Sequence, residues 1–350
     1  MQQCDPLDVI ASPPPRFSVA DIGRLIGEQY GLHGELVSLV SERDQNVRLT
    51  TADEQRYVVK IANAAEHEIT TDFQIQALLH MQNNSCRVAV PRIIRTHDGA
   101  VATIMRGADV RHLVRVVSYV AGRPLEGISP DVRFASELGA CLAEINVALR
   151  DFEHPGDSQS LLWDMQRASD LRRLMTHIGD HDLQATVQAC LDDFEERAAP
   201  KLPELRKQVI HNDLNPENVL VTEGDRAGIA GVIDFGDMLR APLIIDVAIA
   251  ASYLRGKAED PLELLASFVY GYDANTRLED AEVDLLYDLV RMRLATTITI
   301  LHWRLAARRE DDAYALKSLQ GAGGAERFLA RINAISAAEF KHRIRQQCGH

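Results

Sequence analysis

The sequence predicts an α+β chain of two lobes, a small N-terminal lobe built on an antiparallel sheet and a larger, mostly α-helical C-terminal lobe. Three observations predict it. Short β-branched stretches cluster in the first third of the chain, and apolar spacing of helical period takes over further on. At 350 residues the chain exceeds the size at which a single hydrophobic core keeps growing, so two structural units are expected. Two Asx-rich motifs, His211 to Asn218 and Asp234-Phe235-Gly236, bracket a hairpin pattern in the second unit.

In chain order, residues 1–17, with Pro13-Pro14-Pro15, read as a loose leader. Ser18 and Asp21 resemble a capping box for a helix ending near Tyr30, before Gly31. Gly34 to Val40, Asn46 to Thr51 and Arg56 to Ala62 are strand-like, a helix is expected from about Glu66 to Met81, and Leu113 to Tyr119 is an apolar strand running into Val120-Ala121-Gly122-Arg123-Pro124. This makes 18–120 the sheet lobe and 121–340 the helical lobe. Helical spacing continues through Asp131 to Leu149, Leu161 to His177, His181 to Arg197, Pro242 to Leu254, Pro261 to Tyr272, Glu279 to Arg309 and Asp312 to Ile335. Asn218 to Thr222 and Ile229 to Ile233 are joined by the turn-rich Glu223 to Gly228, so Asn218 and Asp234 should share one edge of a hairpin.

The motif His211-Asn212-Asp213-Leu214-Asn215-Pro216-Glu217-Asn218, with Asp234 sixteen residues after Asn218, holds the groups that metal-assisted phosphoryl transfer needs. Such transfer asks for an aligned nucleophile and for cations that neutralise phosphate charge. Asp213 is placed to take a hydroxyl proton, and Asn218 and Asp234 offer hard oxygen ligands suited to Mg²⁺. A good turn former would explain Asn and Pro here, but not Asp-Phe-Gly at this distance. The Asp213 to Asn218 spacing matches the protein-kinase catalytic loop, with Asn212 where those enzymes carry Arg. Tyr57-Val58-Val59-Lys60-Ile61 is close to the kinase V-A-I-K strand and makes Lys60 the candidate phosphate lysine.

Composition narrows the class. Net charge is −13 from 38 basic and 51 acidic residues, which argues against a nucleic-acid or membrane-surface partner and suits a cationic substrate. The N-terminus lacks the basic start and apolar core of a signal peptide, so a cytoplasmic location is expected. Cys4, Cys86, Cys141, Cys190 and Cys348 are scattered without C-x-x-C spacing, so reduced thiols are expected and zinc is not. His177 and His181 are four apart, but Gly179 and Asp180 between them suggest a helix break rather than a metal site.

With these residues in hand, the chain resembles the aminoglycoside phosphotransferase and choline kinase-like family, which has the protein-kinase-like fold, and within it the hydroxylysine kinase branch. The finer resemblance lies in Ser41-Glu42-Arg43-Asp44-Gln45-Asn46, Val59-Lys60-Ile61-Ala62-Asn63-Ala64-Ala65-Glu66, Asp72-Phe73-Gln74, Ala77-Leu78-Leu79-His80, Trp163-Asp164 and Val209 to Asp213. It implies a phosphate-covering turn from Ser41 to Asn46, formed without the glycines of a kinase Gly-rich loop. It implies base contacts through the Ser118 carbonyl and the Val120 N–H, and an Asp246 that braces the catalytic loop led by His211. Gln74 falls where kinases carry the glutamate that pairs with the strand lysine; Glu68 and Asp72 lie on the same helix, and which of the three, if any, meets Lys60 stays open. Arg291, Arg293, His302 and Trp303 punctuate the helix from Glu279 to Arg309; most read as packing or solvent-facing, and position in the family implies that some border the acceptor pocket, where an Arg suits a substrate carboxylate.

The resemblance implies a Mg²⁺-dependent kinase moving the γ-phosphoryl of ATP or GTP to the hydroxyl of a small amine-bearing molecule, with 5-hydroxylysine or a related hydroxy amino acid preferred. Homoserine, choline or ethanolamine, and aminoglycosides are the rival acceptors. A non-catalytic nucleotide-binding module is the rival of another class, and an intact Asp213, Asn218, Asp234 and Lys60 set speaks against it.

Overall fold

The computed structural model describes residues 12–41, 43–84, 86–107, 110–224, 228–256, 259–307 and 313–350. Residues 1–11 of the expected leader, Glu42 of the expected phosphate turn, 225–227 of the hairpin loop, and the helix ends at Arg309 and Asp312 lie outside the described residues. The fold is the two-lobed α+β arrangement of protein-kinase-like enzymes.

The first helix, α1 (Val19–Tyr30), starts where the sequence says. Ser18 caps it by accepting the Asp21 N–H at 3.1 Å, and Gly31 ends it at φ 65, a left-handed conformation that glycine enters without steric cost. Its buried face, Ile22, Ile26 and Tyr30, joins Val47, Leu49, Val59, Ile61, Val114 and Val116 in the sheet-lobe core.

The sheet consists of β1 (Gly34–Leu39), β2 (Gln45–Thr51), β3 (Arg56–Ile61), β4 (Ile93–Ile94), β5 (Thr103–Arg106) and β6 (Arg111–Ser118), all antiparallel, in the order β1-β2-β3-β6-β4 with β5 also on β6. Two-residue β4 and short β5 escape periodicity because neither is long enough to show it. Register places Asn46 opposite Lys60 and Lys60 opposite Arg115, so these three side chains form one row across a single sheet face. Helix α2 (Glu68–Asn83) follows β3 and sends Phe73, Ile75, Leu78 and Met81 into the large core, tying the lobes together.

Beyond β6, β7 (Arg123–Pro124) pairs with β9 (Val219–Val221), which forms the expected hairpin with β10 (Ile229–Val232). Val219 faces Val232, and the Ile233 N–H donates to the Asn218 carbonyl at 2.9 Å, so Asn218 and Asp234 leave the hairpin at one edge. A further pair, β8 (Lys207–Ile210) with β11 (Leu239–Pro242), frames the catalytic loop.

The helical lobe contains α3 (Val132–Ala148), α4 (His181–Asp193), α5 (Leu243–Ala251), α6 (Glu263–Asp273), α7 (Asp280–Ala307), α8 (Ala313–Asn333) and α9 (Ala337–Cys348). Two segments differ in winding from the expected α-helix. Met165–His177 is a 3-10 segment; four of its five buried residues, Met165, Ala168, Leu171 and Leu174, are three apart and fit the three-residue turn, with Met175 buried beside them. Phe194–Ala198 continues α4 as a single π turn. Ser336 caps α9, whose Phe340 and Ile344 are buried in the core.

α3 and α6 cross with backbones in contact, because a Cβ at Gly139 would lie 1.9 Å from the Phe268 carbonyl and one at Gly271 would lie 1.9 Å from that of Ser136. That closeness brings the Tyr272 hydroxyl to the Asn146 side chain, where it donates at 2.7 Å. Among the described residues, no helix is long and apolar enough to cross a membrane.

Candidate active site

The catalytic loop is suspended from a buried carboxylate. Asp246, fully buried on α5, accepts the N–H of His211 at 3.1 Å, the N–H of Asn212 at 2.8 Å and the Asn146 amide at 2.8 Å. Burial pushes the Asp246 carboxyl up, and those three donors with His211 oppose the rise. Asn146, oriented by Tyr272, comes from a helix 100 residues away, and no local signal in the sequence reports it. An Asp246→Ala protein leaves three buried donors unpaired and is expected to lose about 3–5 kcal/mol of unfolding free energy. Urea denaturation checks this; a loss below about 1 kcal/mol would mean the loop is held by other contacts.

His211 ties the two motifs together. Its Nδ1 accepts the Asp213 N–H at 3.2 Å, so Nε2 carries the proton and donates to the Ile233 carbonyl at 3.3 Å. Burial depresses its pKa, which keeps this neutral tautomer, and its ring meets Phe235 edge-on at 4.7 Å. Asn212 at φ 64 and Asp234 at φ 62 both take left-handed backbone, which Asn and Asp tolerate best among residues with a side chain. Through its amide, Asn212 donates to the Asp237 carbonyl at 3.0 Å, the position where protein kinases hold an arginine.

Asp213 receives Asn215 Nδ2 at 3.0 and 3.1 Å on its two oxygens and Asn218 Nδ2 at 2.8 Å. Arg293 Nη2 stands 3.8 Å from Oδ1. Burial, then the neighbouring Asp237 and Asp234 carboxylates, push the Asp213 carboxyl up to about 8 against the pull of Arg293. Because Asn218 spends its NH₂ on the Asp213 carbonyl and carboxylate, its amide oxygen is the atom left to face a cation. Asp234 lies 3.6 Å from Lys60 Nζ, is half-exposed, and is held below the usual carboxylate range chiefly by Lys60. An ionised carboxylate and an amide oxygen on one hairpin edge are the donor set a hard divalent cation takes, so the residues fit Mg²⁺.

The three open partners for Lys60 all point elsewhere. Gln74 accepts from Arg115 and donates to the Gly236 carbonyl at 3.3 Å, Glu68 lies 3.9 Å from Arg111, and Asp72 meets His154 at 3.2 Å. Lys60 instead bridges directly to the Asp-Phe-Gly aspartate. Gln74 thereby touches the same loop from its other end. A second bridge between the lobes was not foreseen: Arg43, in the turn between β1 and β2, donates to Asp237 at 2.5 Å. It ties Arg43 of the expected phosphate turn to the loop after Asp-Phe-Gly, while Gln45 and Asn46, expected in that turn, lie in β2.

At the end of β6, Ser118 donates its N–H to the Arg92 carbonyl and accepts the Arg92 N–H through its hydroxyl, both at 2.9 Å. Among the described residues no turn or loop backbone hydrogen bond takes up the Val120 N–H. Asp213, Asn218, Asp234, Lys60, His211 and Asp246 therefore form one connected cluster, Gln74 and Arg43 join it through the loop after Asp234, and Ser118 and Val120 stand at the junction of the lobes.

Comparison with known proteins agrees with this geometry. The profile described as the phosphotransferase enzyme family matches residues 36–282. A hydroxylysine kinase from Mus musculus is 26% identical over 332 residues, covering 87% of each chain. Among solved structures, a microcompartment-associated aminopropanol kinase superimposes with a TM-score of 0.69 at 20% identity, covering 91% of this chain and 98% of that one. An amicoumacin kinase in complex with AMP-PNP, Ca²⁺ and Ami has a TM-score of 0.67 at 17% identity, covering 92% and 97%. A profile match running from β1 into the start of α7, across both lobes and every residue of the catalytic cluster, makes this chain a member of the phosphotransferase enzyme family.

Proposed function

We propose that the protein transfers the γ-phosphoryl of ATP or GTP to the hydroxyl of a small amine-bearing acceptor, with 5-hydroxylysine or a related hydroxy amino acid preferred. The observation that carries this reading is the division of labour between two aspartates. Asp213 has both carboxylate oxygens fixed by the Asn215 and Asn218 amides, suited to aligning a hydroxyl and taking its proton, while Asp234 is kept ionised by Lys60, suited to a cation. The mouse relative's name supplies the acceptor class, and its match over most of both chains supports carrying it over.

In this reading the Ser118 carbonyl and Val120 N–H bind the base, and Lys60 with the turn from Ser41 to Asn46 holds the phosphates. Asn218 and Asp234 hold Mg²⁺, which when bound supplies neutralisation of phosphate charge. Asp213 aligns the acceptor hydroxyl and takes its proton at a carboxylate oxygen, and the amides of Asn215 and Asn218 keep that oxygen in place. Neither nucleic acid nor membrane is a partner in this reading, and the enzyme works in the cytoplasm, where its nucleotide is.

A panel assay with Mg²⁺ and either ATP or GTP tests it, comparing 5-hydroxylysine, homoserine, choline, ethanolamine and kanamycin. The expected result is a kcat/KM for 5-hydroxylysine at least about tenfold above the rest, with lysine inert because it lacks the hydroxyl. Preference for choline or kanamycin would replace the acceptor and keep the kinase; a thermal shift with nucleotide but no turnover on any alcohol would favour a binding module.

A further inference from the structure

The helical lobe buries a cationic cluster that the phosphoryl-transfer chemistry leaves unused. Arg293, on α7, is 1% exposed. Its Nη2 donates to the Tyr253 hydroxyl at 3.3 Å and stands 3.8 Å from Asp213, while its guanidinium lies 4.8 Å from the Trp163 ring centre. Nε and Nη1 are buried with no hydrogen-bond partner among the described residues. Two buried guanidinium nitrogens, with three N–H directions between them, are costly to leave unpaired unless a ligand completes them.

The surroundings concentrate the same charge. Arg255 lies over the other shared ring, 5.2 Å from Tyr253, and its Nη2 is also buried without a partner among the described residues. Burial, with the charges of Arg293 and Arg327, pulls Arg255 below its ordinary pKa. Arg304, nearly buried, lies 5.5 Å from the Trp163 ring. Tyr253, which receives both Arg293 and Arg255, also lines a cavity of about 150 Å³ with Leu214 and Asn215 of the catalytic loop. The carboxylate nearest Arg293 is Asp213, whose charge the reaction needs for its own proton transfer.

We propose that Arg293, assisted by Arg255 and Arg304 around Trp163 and Tyr253, is the subsite for a carboxylate of the acceptor. The acceptor class is then a hydroxy acid bearing an amine, rather than a simple amino alcohol. This rests on the kinase reading of Asp213, since that residue sets the acceptor hydroxyl beside Arg293. Each edge of a planar guanidinium that carries parallel N–H groups includes Nη2, so a carboxylate would pair Nη2 with Nε or with Nη1, over the Trp163 ring at 4.8 Å. An acceptor lacking the carboxylate leaves those N–H groups unpaired, so discrimination comes from a polar group left unmatched rather than from shape.

The test compares two acid and decarboxylated pairs, 5-hydroxylysine with 1,5-diaminopentan-2-ol and homoserine with 3-aminopropan-1-ol. Affinity is read by calorimetry with Mg²⁺ and a non-hydrolysable ATP analogue, and kcat/KM with Mg²⁺-ATP. In the wild-type protein at least one acid should exceed its decarboxylated partner by on the order of 10- to 100-fold. In Arg293→Met and Arg255→Met proteins that ratio should shrink, to within about threefold for Arg293→Met. The ratio cancels any change that Arg293→Met makes to Asp213, and the wild-type comparison does not depend on either variant folding. Turnover of the amino alcohols at rates equal to or above the acids would overturn the carboxylate subsite while the kinase reading stands. Calorimetric silence and no phosphoryl transfer with all four compounds would remove both.

Discussion

Asp213→Asn is expected to lower kcat by about 10³-fold or more while nucleotide affinity changes less than about threefold. The substitution removes the proton acceptor and keeps its shape, and Asn215 and Asn218 retain an oxygen to bond. Activity measured with saturating nucleotide, beside calorimetric nucleotide binding, checks both halves. A folded variant with undiminished turnover would remove Asp213 from the reaction.

The same variant should gain stability without ligands. Asp213 has an ordinary value of 3.8 and is pushed up to about 8 in the folded protein. Below the lower value both folded and unfolded chains hold the proton, and stability is unaffected by this group. As pH rises between the two values the unfolded chain ionises and the folded one does not, so stability falls, and the loss levels off above about 8. Removing the carboxyl therefore raises Tm most at neutral and alkaline pH and not at all in acid. A wild-type and variant Tm difference that grew toward low pH would contradict the burial of this carboxyl. Stability given up at a reacting group is the usual cost of function.

The parts of this architecture that the sequence discloses are those made by neighbours in the chain. The Ser18 and Asp21 cap, the hairpin that aligns Asn218 with Asp234, and the apolar β6 strand each carry their signal within a few residues. What escapes is made at a distance. Nothing near Asp246 names Asn146 as its partner, and nothing near Arg43 names Asp237, because a hydrogen bond across 100 or 194 residues leaves no periodicity. α7 hides Arg293 for another reason. Apolar and polar residues are buried on all sides of it, from Val283 to Arg304, so no amphipathic stripe separates Arg293, which meets Asp213, from Arg291, which bonds Asp193 at 2.6 Å on the opposite side of the lobe. The 3-10 winding of Met165–His177 is hidden because its buried Leu171, Leu174 and Met175 also fit the i, i+3, i+4 spacing of an α-helix.

Asp234→Asn is expected to weaken Mg²⁺-dependent nucleotide binding by about 10²-fold or more and to bring phosphoryl transfer below detection. Asparagine is preferred to alanine for this test because Asp234 sits at φ 62, where alanine would add backbone strain to the loss of a ligand. Binding of nucleotide without Mg²⁺ should change far less, since Lys60 remains and is released from its carboxylate partner at 3.6 Å. The stability effect runs opposite to that at Asp213. Lys60 and Arg43 lower the Asp234 pKa in the folded protein, so the group contributes stability above its ordinary value of 3.8 that is lost as pH falls through the folded value. Neutralising it therefore destabilises the ligand-free protein at neutral pH, and only slightly, because the side chain is 54% exposed and the pair is screened by solvent. Calorimetry with and without Mg²⁺ separates the two contributions. Equal loss of affinity in both conditions would make Asp234 a structural partner of Lys60 rather than a metal ligand, and unchanged affinity with full metal dependence would transfer the cation to other oxygens of the loop.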